Sequence, residues 1–127
     1  MAFLDMNFDD VVEPTVAPAD SEYKLRIMDV KEGTNKNNEA YLMPRFEFCD
    51  GVGAKDFTKY LVLPAPSMDA KKLNNTKYAL KTFMDAFGLE YASDPADWVG
   101  AEGWAILGVE ENEQYGPQNF VKKFVQA

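Results

Sequence analysis

The alternation of apolar and polar residues predicts five β-strands in this chain. In residues 22–30, Leu25 and Ile27 occupy one parity, while Lys24 and Arg26 occupy the other. Period-two alternation of this kind is typical of a half-buried strand. The same reasoning predicts strands at residues 22–30, 41–49, 57–63, 104–109 and 119–125.

A helix is predicted between the third and fourth strands. Residues 67–87 repeat apolar side chains at helical spacing, with Ser67 as candidate N-cap and Gly88 as C-terminal glycine. The asparagine-rich residues 74–76 are expected to break it near its start. Residues 93–95, Ser-Asp-Pro, predict a second cap followed by about one helical turn.

The predicted elements follow the order of three strands, a helix and two strands, and this order is typical of a small β-barrel. We predict a mainly β protein with the OB-fold, a five-stranded Greek-key β-barrel with one main α-helix between strands 3 and 4. Pro44 lacks an N–H donor, which indicates an edge position or a bulge in the second strand.

The first twenty residues differ from the rest. They hold five carboxylates and two prolines but neither Lys nor Arg. We therefore predict an acidic N-terminal arm over residues 1–20, leading into a single domain over residues 21–127. Apolar side chains in the arm can attach it to the body or to a neighbouring molecule. They are Phe3, Leu4, Met6 and Phe8.

The composition removes several kinds of active site. The chain has no His, which excludes His-dependent catalysis and His-ligated zinc, and its one Cys, Cys49, cannot form a disulfide within the chain. No nucleotide-binding glycine motif is present. The acids Glu110, Glu111 and Glu113 share one loop, where a solvated turn is favoured over a cation site. We expect a non-enzyme.

Transport into or across a membrane is not indicated. No run approaches the ~20 apolar residues of a membrane helix, and the N-terminus lacks the basic and apolar regions of a secretory signal. A soluble protein of a reducing compartment is therefore expected.

Aromatic and basic residues fall where an OB-fold binds its ligand. That ligand crosses the face of strands 2 and 3, between the loops joining strands 1–2 and 4–5. Single-stranded DNA is held there by rings that stack on bases and by cations near phosphates. The candidate DNA-binding residues are Lys24, Arg26, Lys36, Tyr41, Arg45, Lys59, Tyr60, Tyr115 and Lys122.

Each aromatic residue also has a structural interpretation. Tyr41 and Tyr60 are as compatible with half-buried packing as with exposure. Trp98 and Trp104 are expected to pack the end of the barrel, although either can serve as a stacking platform. The expected core aromatic and aliphatic residues are Phe46, Phe48, Phe57, Leu61 and Phe83.

The order and spacing of several segments carry a family resemblance. The acidic start Met6-Asn7-Phe8-Asp9-Asp10 is followed by SEYKLRIMDVKEG, YLMPRFEFCDG, FTKYLVLP, KYALKTFMDAFGL, DWVGAEGWAILGVEENEQYG and NFVKKFV. In this layout, which covers nearly the whole chain, the protein resembles phage-encoded single-stranded DNA-binding proteins of the OB type. The resemblance implies a role in phage DNA replication or recombination, without a cofactor, in the cytoplasm of an infected bacterium.

Two departures from that family pattern bear on function. The acidic partner-recruiting tail that many such proteins carry at the C-terminus is absent, and the acidic segment lies at the other end. Residues 1–20 are therefore expected to recruit replication or recombination proteins, or to lie over the groove and compete with DNA. Ala101-Glu102 stands where the family commonly has a Lys after the Gly, which weakens the basic patch.

Three functions remain open on the sequence. The first is sequence-tolerant binding of single-stranded DNA by a local patch, because a formal net charge of −8 rules out general attraction to nucleic acid. The second is a protein-binding OB module or a small phage structural protein that binds no nucleic acid. The third, an enzyme, requires a metal held by the acidic groups.

Overall fold

The computed structural model describes residues 15–49, 51–114 and 116–126. They form one antiparallel sheet and one α-helix, so the protein is mainly β, as predicted. The strands are β1 (Glu22–Thr34), β2 (Ala40–Phe48), β3 (Phe57–Thr58), β4 (Leu61–Val62), β5 (Glu102–Asn112) and β6 (Gly116–Val125), and the helix is α1 (Ala70–Ala86).

The sheet has the order β3-β2-β1-β5-β6, and β4 also pairs with β2. The long strand β1 is therefore central, with β2 on one side and β5 on the other. Within the described residues no ladder joins β6 to β3, so the sheet is open between them.

Pro44 divides the predicted third strand into two short strands. The register across the division is continuous, because Phe46 pairs with Phe57 and Leu42 pairs with Leu61. Pro44 has no N–H, so the ladder lacks one donor at this point. Lys59 still donates its N–H to the Pro44 carbonyl at 3.1 Å.

The expected edge position or bulge at Pro44 is not found. β2 is an inner strand of the sheet, and the bulge of the β1–β2 pair lies on β1 between Ile27 and Asp29.

The N-cap of helix α1 lies two residues later than the predicted cap, Ser67. Asp69 is the N-cap and accepts a hydrogen bond from the Lys72 N–H at 2.8 Å, the geometry predicted for Ser67. The expected break at residues 74–76 is absent, because the later turns pack on the core and tertiary packing overrides the weak helix propensity of asparagine. Gly88 ends the helix with φ +65°, as predicted.

The second predicted turn is a 3₁₀ helix over Pro95–Trp98. Asp94 caps it by accepting a hydrogen bond from the Ala96 N–H at 3.0 Å. Trp98 is buried at 3% exposure, and its indole N–H donates to the Ser93 hydroxyl at 2.7 Å. None of the helices in the described ranges combines the length and apolar character needed to cross a membrane.

Phenylalanine rings join α1 to the sheet. Phe83 and Phe87 of the helix contact Phe46 of β2 and Phe124 of β6. The Phe46 and Phe87 rings stack with centroids 5.4 Å apart, and Phe83 meets Phe124 edge-on at 5.5 Å. Of the residues expected in the core, Phe46, Phe57, Leu61 and Phe83 are buried, while Phe48 is half-buried against it.

A segment before β1 is held by the sheet, and we call residues 15–20 the strap. Ala17 is buried at 1% exposure and donates its N–H to the Asn119 side-chain oxygen at 2.8 Å. The Asn119 amide nitrogen in turn donates to the carbonyls of Ala17 and Gly108 at 2.9 and 3.0 Å. Asn119 is itself buried, so these bonds satisfy polar groups that water does not reach.

The strap connects the β5–β6 side of the sheet to the segment that leads into β3 on the other side. At its C-terminal end, the Asp20 N–H bonds to the Leu107 carbonyl of β5 at 2.8 Å. At its N-terminal end, Thr15 pairs with Ala54 and accepts the Lys55 N–H at 2.9 Å, shortly before β3. Part of the predicted acidic arm therefore lies against the body, and its residues 1–14 lie outside the described residues.

The closeness of α1 to the sheet depends on Gly103. A Cβ at this position would lie 2.6 Å from the Ala86 carbonyl oxygen and 3.0 Å from the Phe87 ring. The oxygen belongs to the helix backbone and cannot turn aside, so any side chain at residue 103 pushes the end of α1 away from β5.

Gly103→Ala should therefore lower the free energy of unfolding by about 1–3 kcal/mol, the usual cost of overpacking. Urea denaturation followed by circular dichroism measures the change. Val99→Ala, at a side chain that is 54% exposed, is the control and should stay within about 0.5 kcal/mol. Equal stability of the two variants would contradict this account of helix packing.

Candidate nucleic-acid interface

One surface of β1 and β2 carries aromatic and charged side chains. Leu42, Pro44 and Phe46 of β2 point into the core, so the alternate residues lie on the opposite side. We call that side the outer face. It comprises Tyr41, Met43, Arg45 and Glu47 of β2, and Arg26, Asp29 and Lys31, which pair with Glu47, Arg45 and Met43 from β1.

Two tyrosines stack at the hairpin end of the outer face. The rings of Tyr41 and Tyr60 have centroids 4.8 Å apart at an interplanar angle of 37°. Tyr60 is 45% exposed, whereas Tyr41 is half-buried over Gly33, where any Cβ would clash with its ring. We call them the tyrosine pair. The Tyr60 ring is open to solvent on one side, and the Tyr41 ring packs against its other side.

A chain of hydrogen bonds from α1 fixes the orientation of Tyr60. Its hydroxyl accepts a hydrogen bond from the Asn35 amide at 2.9 Å, and the same amide donates to Glu39 at 3.2 Å. Lys72 of α1 donates to the other Glu39 oxygen. The bond from Lys72 is the larger cause, and the bond from Asn35 the smaller one, of a lowered pKa of Glu39. Glu39 is therefore ionised at neutral pH, and it keeps accepting the bonds that connect the helix to the loop.

Most of the predicted cations are paired with carboxylates. Lys24 lies 3.3 Å from Glu102, and Arg26 lies 2.6 Å from Glu47 and 3.8 Å from Glu102. The hydrogen bond to Glu47 raises the pKa of Arg26 further, so the guanidinium stays charged. Carboxylates thus interleave with cations at this end of the outer face and offset much of their positive potential.

Arg45 and Lys122 are paired as well. Arg45 lies 3.4 Å from Asp56, and Lys122 of β6 pairs with Asp20 of the strap. Lys36 and Lys59, in contrast, have no ion pair with a described residue. Lys36 is exposed in the β1–β2 hairpin beside Asn35, and Lys59 precedes Tyr60.

A cleft of about 330 Å³ opens beside the tyrosine pair. Tyr60, Lys59 and Met43 line one side of it, and Phe120 of β6 lines the other. The cleft lies between strands that the sheet does not join, so its walls come from both open ends of the sheet. It therefore has an aromatic ring on each side, and its lining carries one lysine, Lys59, and one carboxylate, Glu110.

The tryptophans differ from each other. Trp98 packs in the core as expected, but the same expectation for Trp104 is wrong, since this side chain is 44% exposed. The reason is strand parity, because Gly103 and Ala105 on either side of it are buried. Trp104 pairs in register with Lys24 and extends the outer face onto β5. The alternation of small and large residues along β5 is the sequence pattern that predicts the exposure of Trp104.

The structure thus gathers some of the candidate residues and separates others. Lys36, Tyr41, Lys59 and Tyr60 meet at the hairpin end of the outer face, with Arg45 further along β2. Lys24 and Arg26 lie nearer its other end, and Lys122 lies on β6 beside the strap. Tyr115 lies outside the described residues. Phe120 is an addition that was not among the candidate residues, whereas Trp104 was already named as a candidate stacking platform.

Across the part of the chain that the structure describes, no group of three or more Cys, Asp or Glu residues is placed to hold a metal ion. The chain matches no protein-family model and no curated protein.

The contrast between the tryptophans can be measured. Acrylamide should quench the fluorescence of Trp104 efficiently and that of Trp98 weakly, because only the former is open to solvent. Trp104→Phe should therefore remove most of the quenchable emission. Retention of the full quenchable fraction in this variant would show that Trp104 is not exposed.

Proposed function

We propose that this protein is a non-enzymatic OB-fold module that binds single-stranded DNA without sequence preference, as in phage replication or recombination. The observation that carries the proposal is the tyrosine pair, in which the preoriented and solvent-facing ring of Tyr60 follows Lys59 in the chain and is bonded to the hairpin that carries Lys36. Bases of any identity stack on such a ring, which makes the binding sequence-tolerant.

The topology supports the OB-fold. In that fold a partly open Greek-key barrel binds its ligand across strands 2 and 3. Here β1 pairs with both β2 and β5, and α1 connects β4 to β5. β3 and β4 together take the place of the third OB strand, and the strap links the β6 side to the segment that leads into β3. The tyrosine pair then lies on the ligand-binding strands.

The ion pairs set the character of the proposed binding. A phosphate must compete with Asp56 for Arg45 and with Glu47 for Arg26, whereas Lys36 and Lys59 are available at once. About three phosphate contacts, from Lys36, Lys59 and Arg45, correspond to a slope of about −2 in a plot of log affinity against log salt. Stacking therefore supplies the larger part of the affinity, and binding persists at salt concentrations that abolish purely electrostatic binding.

A second candidate function follows from the same carboxylates. The pairing of Lys24, Arg26 and Arg45 within a chain of net charge −8 also suits a surface that docks another protein. Such a module binds no single-stranded DNA even at low salt. Anisotropy titrations of a short oligo-dT and of a duplex, each at two salt concentrations, separate the two functions.

Tyr60→Ala should weaken oligo-dT binding by about 1–3 kcal/mol, the contribution of one stacked base. Tyr60→Phe should keep most of the affinity, because it retains the ring and loses only the bond from Asn35. The matched control is Tyr78→Ala, since Tyr78 is 59% exposed on α1, away from the outer face. Equal losses in Tyr60→Ala and Tyr78→Ala would refute the assignment of this face.

Removing competing carboxylates should strengthen the binding. The double variant Glu47→Gln/Glu102→Gln releases Arg26 and Lys24 for phosphates, which should raise oligo-dT affinity about two- to fivefold, the scale of an exposed ion pair. It should also steepen the salt dependence. The double variant Glu90→Gln/Asp97→Asn, at two exposed carboxylates that are not part of the outer face, makes the same change in net charge and is the control. If the two variants gained equally, phosphates would not contact this end of the outer face.

A further inference from the structure

A second surface feature has no role in the proposed DNA binding. An apolar groove of about 300 Å³ runs along α1, between Leu80 and Met84 of the helix, Pro64 and Tyr91. A neighbouring hollow of about 250 Å³ shares Leu80, Met84 and Tyr91 and continues to Trp98. We call this continuous depression the helix groove.

The walls of the helix groove are held in place. The Lys81 ammonium lies 2.7 Å from Asp85 and 5.9 Å from the centre of the Tyr91 ring. The Tyr91 hydroxyl donates to the other Asp85 oxygen. The hydrogen bonds from Lys81 and Tyr91 lower the pKa of Asp85. Tyr91 is 63% exposed yet fixed, so the groove exists before any ligand arrives and a ligand loses less entropy on binding.

The helix around the groove is positively charged in a chain that is otherwise acidic. It carries four lysines, Lys71, Lys72, Lys77 and Lys81, against the single carboxylate of Asp85. Lys77 lines the groove one turn before Lys81 and has no ion pair with a described residue. A ligand that fits this surface has apolar side chains for the floor and a carboxylate for Lys77.

The chain itself contains a segment of that chemistry. Residues 1–14 hold Phe3, Leu4, Met6 and Phe8 together with four carboxylates, and neither Lys nor Arg. The bond from the Lys55 N–H fixes Thr15 at the start of the strap. Phe8 lies seven residues before Thr15 and Phe3 lies twelve residues before it, so an extended chain carries them at most about 23 Å and about 40 Å from Thr15. A globule of this size is about 35 Å across, so this span is long enough for the segment to reach the helix groove of its own molecule with Phe8 at the end nearer Thr15.

We propose that the helix groove binds residues 3–8 of the same chain, with the Phe3 and Phe8 side chains on its apolar floor and a carboxylate at Lys77. The covalent connection favours this intramolecular contact, because a short linker supplies an effective concentration in the millimolar range. The proposal does not depend on DNA binding, and it leaves the tyrosine pair uncovered.

Paramagnetic relaxation in the full-length protein tests the proposal. A nitroxide is attached through Ala2→Cys in a Cys49→Ala background, and ¹⁵N-labelled protein is compared in its oxidised and reduced forms. The amide signals of Lys77–Met84 and Tyr91 should broaden, and this broadening should be lost in Lys77→Glu and at high salt. Lys71→Glu, a lysine on the same helix that does not line the groove, should retain it.

Each other outcome overturns the proposal in its own way. Broadening centred on Arg45 and Tyr60 means that the segment lies over the outer face and competes with DNA. Broadening that persists when ¹⁵N-labelled protein without a nitroxide is mixed with unlabelled, nitroxide-bearing protein identifies a second copy as the donor. Absence of selective broadening means that residues 3–8 do not occupy the groove.

Discussion

The packing of α1 across the end of the sheet is the contact on which the rest of the structure depends. Phe83 of α1 and the C-cap residue Phe87 contact strands β2 and β6, which no ladder joins within the described residues, and so hold the two sides of the sheet together. This approach is close because Gly103 leaves room for the helix backbone. Within the described residues the sheet stays open between β6 and β3, and the cleft lies at this opening.

The helix also influences the two candidate binding surfaces, one through each end. Its first turn reaches the β1–β2 hairpin through Lys72, which orders Glu39, Asn35 and then Tyr60. Its last turns form the wall of the helix groove with Met84 and the Lys81–Asp85 pair. A disturbance of α1 would therefore alter the orientation of Tyr60 and the shape of the groove together. The outer face itself is left open, because the helix packs on the core side.

Local patterns in the sequence predicted much of this architecture, and contacts between distant strands account for what they missed. Alternation located the strands, but it left both exposure and half-buried packing open for Tyr41 and Tyr60. The division of the third strand was not predictable from that strand alone, because the missing donor belongs to Pro44 of its neighbour. The pairing of Arg26 with Glu47 likewise depends on the register of two strands. Trp104 is exposed because Gly103 and Ala105 occupy the buried positions on either side of it in β5.

The strap determines how the molecule would respond to force. A pull on the N-terminus acts first on the Thr15–Ala54 pairing and on the bonds between Ala17 and Asn119. These few hydrogen bonds lie outside the phenylalanine core, so they would break before the sheet does. The strap would then detach and extend while the sheet stays folded. The other end is tied differently, because β6 pairs with β5 up to Val125 and the Phe124 side chain is buried, so tension there acts directly on the sheet and its core. The protein thus has a compliant end and a stiff end, and a tether attached to one is not mechanically equivalent to a tether attached to the other.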